Sequence, residues 1–203
     1  MIKLTGDQLE RILGSSNRPW LVEADLREAD LRAVDLTNAQ LNGANLISAD
    51  LSRADLSGAD LRQARLIHAD LRGANLSLAN LRRADLTGAD LRGADLRNAD
   101  LHGADLSWAR LREAKLEGAV GIPDKWRLVW EIVTGGGANR NLRQAKLRRA
   151  DLRGADLRGA DLYKANLSSA DLRQADLRGA NLKAAIMDST NLTGARFDPS
   201  PSG

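Results

Sequence analysis

The stretch "ADLRGADLRNADLHGADLSWA", residues 89–109, repeats a five-residue unit four times, and this repeat decides the fold. Leu91, Leu96, Leu101 and Leu106 stand five residues apart, each two residues after an alanine and one after an aspartate. A helix face needs apolar residues spaced by three and four, whereas a strand alternates apolar and polar residues. A spacing of five fits neither element, so each unit must combine a short extended piece with a corner.

The repeat continues in both directions from this stretch. With the central leucine as position i, 20 pentapeptides run from Leu21 to Leu116, and all have Leu at i. A second run of 12 pentapeptides extends from Leu142 to Phe197, and 10 of them have Leu at i. The two runs differ in phase by one residue, so the segment between them is an insertion.

The corner chemistry supports a solenoid in which four pentapeptides close one coil. In such a coil the leucine and the alanine at i−2 point inward, while positions i−1, i+1 and i+2 point outward. Glycine tolerates the positive φ that a tight corner requires. It stands at i+2 in Gly58, Gly73, Gly88, Gly93, Gly103, Gly154, Gly159 and Gly179. The pattern therefore predicts an all-β solenoid with an interior filled by side chains.

Tandem A[DN]LXX units of this kind resemble the pentapeptide-repeat protein family, over residues 19–120 and 139–198. The resemblance implies a right-handed quadrilateral β-helix of about eight coils, five in the first run and three in the second. The interruption between the runs is similar in style to those of cyanobacterial members. Expected organisation then follows the repeat boundaries, with a solenoid at 19–120, a helical insertion at 121–138 and a second solenoid at 139–198.

The segments outside the repeat have their own expected structures. Residues 1–18 are expected to form an N-terminal helical cap, with an amphipathic helix over 4–14, and residues 199–203 a polar tail. Arg140 occupies an i−2 position that should point inward. Because an unpaired inward charge is costly, we expect the regular part of the second run to begin near Ala145.

The insertion supplies the first candidate contact residues. Trp126, Trp130 and Val133 follow helical spacing, Pro123 and Asp124 suit a helix start, and the glycines at 135–137 suit its end. A structural role packs this face on the solenoid. A functional role presents it to a protein partner, since tryptophan stabilises cores and interface hot spots alike.

An outward column of the first run supplies the second candidate surface. Residues 20 apart stack on one face of the coil, so Ile47 and Ile67 are neighbours in a column, and Trp108 stands further along that face. These three residues are candidates for a small apolar contact patch. Another outward column places Arg32, Arg72 and Arg92 beside Asp30, Asp70 and Asp90, which indicates a self-neutralising charge ladder.

The second run is the more basic part of the chain. Residues 139–203 contain 12 Arg and Lys against 7 Asp, and the cations concentrate at the start of the run. The candidate basic patch consists of Arg143, Lys146, Arg148, Arg149, Arg153 and Arg158. Such a patch can bind nucleic acid or an acidic partner. The scarcity of aromatic residues weighs against single-stranded nucleic acid.

Catalysis is not expected. The chain has no cysteine, and its two histidines, His68 and His102, fall on different faces of the coil. We find no phosphate loop or dinucleotide motif, and a filled solenoid has no interior pocket, so no catalytic residue, metal or cofactor is expected. There is also no signal peptide and no apolar run long enough to span a membrane, which favours a cytoplasmic protein.

Function is expected to be that of a non-enzymatic structural or protein-interaction scaffold. The family resemblance implies one alternative, a DNA mimic that binds topoisomerases such as gyrase, although that mechanism needs a dominantly acidic surface. The basic second run provides the other, binding of nucleic acid or an acidic partner. We expect an unidentified protein partner rather than nucleic acid, no membrane, and a monomer or weak dimer.

Overall fold

The structure is a computed structural model that describes residues 2–3 and 19–199. The chain divides into two units, Met1–Ile122 and Pro123–Gly203, here called the first and second units. In the first unit a two-residue strand, β1 (Ile2–Lys3), pairs in parallel with β2 (Ala24–Asp25). The N-terminal helix expected over 4–14 lies outside the described residues.

Parallel bridges between residues 20 apart define the solenoid. In the first unit they run from Trp20–Gln40 to Asp100–Val120, and in the second from Asn141–Asp161 to Asp176–Arg196. Because each bridge skips 20 residues, four pentapeptides make one coil with four faces. Each face carries one bridge per coil, so the sheet consists of very short parallel pairings.

Each pentapeptide closes on a β-turn. The Leu71 carbonyl accepts a hydrogen bond from the N–H of Ala74 at 3.0 Å, and the Leu71 N–H donates to the backbone carbonyl of Asp90 in the next coil at 2.9 Å. The turn residue Gly73 has φ +64, and the same corner position is left-handed in Leu78 (φ 60) and Trp108 (φ 56). A positive φ at the third turn residue is the type II pattern, which glycine adopts without strain.

The core consists of the leucine and alanine rows. The central leucines of the pentapeptides from Leu31 to Leu91 are 0% exposed. Burial decreases toward the end of the second unit, where Leu182, Met187 and Leu192 are half-buried and Phe197 is 45% exposed. The inner rows are therefore best packed in coils that have a coil on both sides, as expected for a solenoid.

The insertion contains one helix, α1 (Asp124–Gly135), which directly follows Pro123 and buries Trp126, Val129 and Ile132. It leads into the first coil of the second unit through Gly137, whose N–H donates to the Asp156 carbonyl at 2.9 Å. No helix among the described residues is long and apolar enough to cross a membrane.

The expected start of the second run near Ala145 is wrong by one pentapeptide. The bridge between Asn141 and Asp161 is already formed, and Leu142 is 3% exposed. Arg140 is accommodated because its guanidinium pairs with Glu131 of α1 at 2.7 Å. Both side chains of this pair are partly exposed, so Arg140 also keeps contact with solvent and is not an inward, unpaired charge.

Candidate interaction surfaces

The outward residues at i−1 and i+1 form a repeating charge unit. The aspartate at i−1 accepts the backbone N–H of residue i+1, as Asp35 does from Thr37 at 2.9 Å. Where residue i+1 is arginine, its guanidinium also donates two hydrogen bonds to the same carboxylate, a contact called here the fork. Arg62 donates from Nε to Asp60 Oδ1 at 2.8 Å and from Nη2 to Oδ2 at 2.6 Å. This bidentate geometry is the strong form of the arginine–carboxylate contact.

The fork recurs along both units. Its arginines are Arg27, Arg32, Arg62, Arg72, Arg92, Arg97, Arg153, Arg158, Arg173 and Arg178. Where asparagine replaces aspartate at i−1, the arginine reaches the aspartate of the next coil instead. Arg82 pairs with Asp100 at 3.1 Å, and Arg143 with Asp161 at 2.9 Å. The ladder expected from the sequence is therefore present on the outer faces.

These contacts change the acidity of the ladder carboxyls. The hydrogen bonds from Arg32 lower the pKa of Asp30 to about 2, and those from Arg178 lower the pKa of Asp176 to about 2. Hydrogen bonds from Arg62 and Arg97 likewise lower the pKa values of Asp60 and Asp95. The ionised form is favoured because the arginine donors bond more strongly to the charged carboxylate than to the neutral acid.

Acid is expected to destabilise the solenoid in a defined pH window. The folded carboxyl pKa values lie below the unfolded value of about 3.9, so the ladder stabilises the fold fully above about pH 5 and loses that contribution as pH falls toward about pH 2. Thermal unfolding followed by circular dichroism should show a constant Tm from neutral pH to about pH 5, then a steep fall. Asp176→Asn should reduce the steepness of the fall. A Tm that is unchanged or higher at about pH 2 would contradict the pKa shifts.

The apolar candidates of the first unit lie on one face. The N–H of Ser48 donates to the Ile67 carbonyl at 2.9 Å, which places Ile47 and Ile67 in adjacent coils of one column. Both side chains are half-buried. Trp108 is 37% exposed and stands at a corner two coils beyond Ile67, so only the two isoleucines are direct neighbours.

A shallow depression marks an interruption in another column of the first unit. Ser52 stands where the neighbouring coils have Arg32 and Arg72, and the missing side chain leaves space above Asp50. The Asp50 carboxylate accepts the Ser52 N–H at 3.0 Å and lies 3.8 Å from Arg32. The depression is polar and open, and its charges belong to the ladder on either side.

The candidates in α1 do not share one environment. Trp126 is 5% exposed, whereas Trp130 and Val133 are half-buried. Lys125 covers the Trp126 ring, with its Nζ 3.8 Å from the ring centroid. Of the two roles considered for this face, the enclosed ring of Trp126 fits packing rather than presentation to a partner.

The six-residue basic patch is not one surface. Successive pentapeptides occupy successive faces, so the patch wraps around the first coil of the second unit. Arg143 pairs with Asp161 and stacks on Tyr163, 4.3 Å from the ring centroid. Arg153 and Arg158 fork onto the aspartates two residues before them. Lys146, Arg148 and Arg149 belong to one pentapeptide face and its corner, and all three are exposed.

No group of three or more metal-ligating side chains occurs among residues 2–3 and 19–199. His102 Nδ1 lies 2.6 Å from Asp100 Oδ1, and His68 stands at a corner of the next face. Of the side chains the structure describes as buried, only Asn45, Ser107 and Asp151 are polar. None of the described buried polar side-chain atoms lacks a hydrogen-bond partner.

Comparison with known proteins agrees with the coil geometry. The model of the pentapeptide repeats family matches at residues 20–46, 39–77, 79–118, 141–174 and 165–198, in 8 copies. The chain therefore belongs to the pentapeptide repeat family. No curated protein matches the chain.

Among solved structures, HetL of the cyanobacterium Nostoc sp., a protein involved in the regulation of heterocyst differentiation, is 37% identical. The match covers 88% of this chain and 76% of HetL, with a TM-score of 0.34. A pentapeptide repeat protein of the Arabidopsis thaliana thylakoid lumen is 32% identical over 56% of this chain and 74% of its own, with a TM-score of 0.47. QnrB1, a plasmid-mediated fluoroquinolone resistance protein, is 18% identical over 88% of this chain and 91% of its own, with a TM-score of 0.32.

Proposed function

We propose that this chain is a non-enzymatic scaffold that binds a protein partner through the Ile47–Ile67 column of the first unit. The observation that carries the proposal is the pair of isoleucines in adjacent coils, at outward positions where other coils place arginine, serine or threonine. Adjacent coils are about 4.8 Å apart, so the two side chains form a continuous apolar strip. An apolar strip surrounded by polar columns is suited to a protein contact.

The filled interior supports a binding role rather than catalysis. Leucine and alanine occupy the described core, and the outward aspartates are engaged with arginines or backbone N–H groups. Catalytic sites are generally concave and combine a few polar groups with perturbed acidity. The lowered carboxyl pKa values here recur along the ladder and arise from its ion pairs and its turn hydrogen bonds, so they have a structural cause.

The proposal also includes the handedness and number of coils of the scaffold, its location and its oligomeric state. The right-handed sense follows from the family resemblance, the count of eight coils follows from 20 and 12 pentapeptides at four per coil, and the 20-residue bridges are compatible with that count. A cytoplasmic location and a monomeric or weakly dimeric state are proposed on the sequence. The DNA-mimic alternative is less well supported, because Arg32, Arg72 and Arg92 stand among the aspartates of one face and interrupt a continuous negative surface.

A crosslinking capture with matched variants tests the proposed contact. The double substitution Ile47→Ser and Ile67→Ser removes the strip without touching the core, and Ser57→Ala with Ser77→Ala changes two outward side chains on the opposite face. We expect the double isoleucine variant to capture the partner at least about tenfold less well than the wild type. The serine variant should capture it equally. Equal capture by all three proteins would overturn the assignment of the strip.

A further inference from the structure

The ladder follows a rule that predicts where each arginine finds its carboxylate. An arginine at i+1 pairs with the aspartate at i−1 of its own pentapeptide, as Arg97 does with Asp95. When i−1 is asparagine, the arginine reaches the aspartate of the next coil, as Arg143 does with Asp161. A ladder arginine therefore has two places in which to find a partner.

Arg148 has a carboxylate in neither place. Its own i−1 residue is Lys146, and the next coil has Asn166 in the equivalent position, as the Lys146–Asn166 bridge shows. Both cationic side chains are exposed. Within residues 19–199 no ion pair joins Arg148 or Lys146 to a carboxylate, and Arg149 adds a third positive charge at the adjoining corner.

Asn166 adds a further hydrogen-bond donor to this face. Its Oδ1 accepts the Ser168 N–H at 3.0 Å, just as Asn75 Oδ1 accepts the Ser77 N–H at 3.1 Å. In that orientation the Asn75 Nδ2 donates to the aspartate of the preceding coil, Asp55, at 3.1 Å. The same orientation aims the Asn166 amide at the position of Lys146, where no carboxylate stands.

We propose that Lys146, Arg148 and Asn166 form a binding site for a phosphoryl group carried by a peptide segment of a protein partner. Each side chain supplies hydrogen-bond donors, and a phosphoryl group supplies three acceptor oxygens with a charge close to −2. The bound oxyanion takes the place that a carboxylate has elsewhere in the ladder. Ser168, next to Asn166, offers a hydroxyl at the edge of the site.

A peptide phosphate fits this face better than a nucleic acid does. Nucleic acid affinity depends on neutralising many phosphates along an extended backbone. Here Arg143 and Arg153, the arginines nearest to the site on the two adjoining faces, are already paired with aspartates, so their charges are partly neutralised. The inference deepens the proposed scaffold role by naming the chemistry of a partner segment, and it concerns the second unit alone.

Fluorescence anisotropy with the full-length protein tests the site. The probes are a labelled glycine-rich peptide with one phosphoserine, the same peptide with serine, and a labelled single-stranded oligonucleotide. We expect the phosphoserine peptide to bind at least about tenfold more tightly than the serine peptide, since hydrogen bonds to charged groups are the stronger ones. It should also bind more tightly than the oligonucleotide.

Lys146→Asp is the decisive variant because it gives Arg148 the same carboxylate that Arg153 has in Asp151. It should keep or raise the Tm and weaken phosphoserine peptide binding at least about tenfold. Lys183→Asp makes the same charge change on the neighbouring face and should bind within about twofold of the wild type.

Three results would overturn the inference: equal binding of the phosphorylated and unphosphorylated peptides, unchanged binding by Lys146→Asp, or preferential binding of the oligonucleotide. The capture assay on the Ile47–Ile67 column reports separately on the first unit. A loss of peptide binding and a loss of partner capture are therefore distinguishable.

Discussion

Leu71→Ala is expected to lower the free energy of unfolding by about 2–5 kcal/mol. Leu71 is 0% exposed, and Leu51 and Leu91 stack on either side of it in the same inner column. A coil held by hydrogen bonds to both neighbours cannot collapse onto the space that the substitution leaves. The cost therefore includes the lost transfer of the side chain and the residual cavity.

Urea unfolding measures this effect, and the chain offers a control of identical chemistry. Leu78 is 67% exposed, so Leu78→Ala should change the free energy of unfolding by no more than about 0.5 kcal/mol. Comparable losses from the two substitutions would mean that the inner leucine column does not stabilise the fold as described.

Gly137→Ala is expected to destabilise the second unit by about 1–3 kcal/mol. A Cβ at this residue would lie 2.7 Å from Leu157 Cδ2, 3.1 Å from the Asp156 carbonyl oxygen and 3.2 Å from Ile132 Cγ2. The carbonyl oxygen is fixed by the hydrogen bond from the Gly137 N–H, and Leu157 is 0% exposed. The methyl group would therefore separate α1 from the first coil of the second unit.

Gly135→Ala is the matched control, because nothing lies within 4 Å of a Cβ at Gly135, the last residue of α1. Alanine has the higher helix propensity, so this variant should be as stable as the wild type or up to about 1 kcal/mol more stable. Tryptophan fluorescence during urea unfolding follows both variants, since Trp126 and Trp130 lie in α1. Equal midpoints for Gly137→Ala and the wild type would show that α1 does not pack closely at Gly137.

The repeat made the core and the corners readable from the sequence. Leu at i and Ala at i−2 recur over most of the chain, and nearly all of these residues are buried in the structure. The buried rows therefore followed from their spacing in the sequence. Glycines such as Gly58 and Gly73 indicated positive φ at the corners, and the structure extends that conformation to Leu78 and Trp108. Non-glycine corners give no local signal, but the register predicts them.

The surfaces were harder to predict because proximity in sequence does not mean proximity on a face. Arg148 and Arg153 are five residues apart in sequence and lie on adjoining faces of the coil. The basic residues that are close in sequence therefore do not form one surface. Counting by 20 from Lys146 would have identified Asn166 as its neighbour. Arg140 was misjudged because its partner, Glu131, lies in the insertion, outside the repeat. The pairing of Ile2–Lys3 with β2 involves too few residues to leave a pattern.

The 20-residue coil also constrains how such a surface changes over evolution. Loss or duplication of 20 residues removes or adds one coil and leaves every remaining column on its original face. Loss of five residues turns all later columns by a quarter of a coil, so that, after a deletion of 61–65, Ile67 would move away from the column of Ile47. Insertions and deletions in multiples of four pentapeptides therefore keep every remaining residue on its face, whereas a change of one pentapeptide moves all later residues of the unit to a different face.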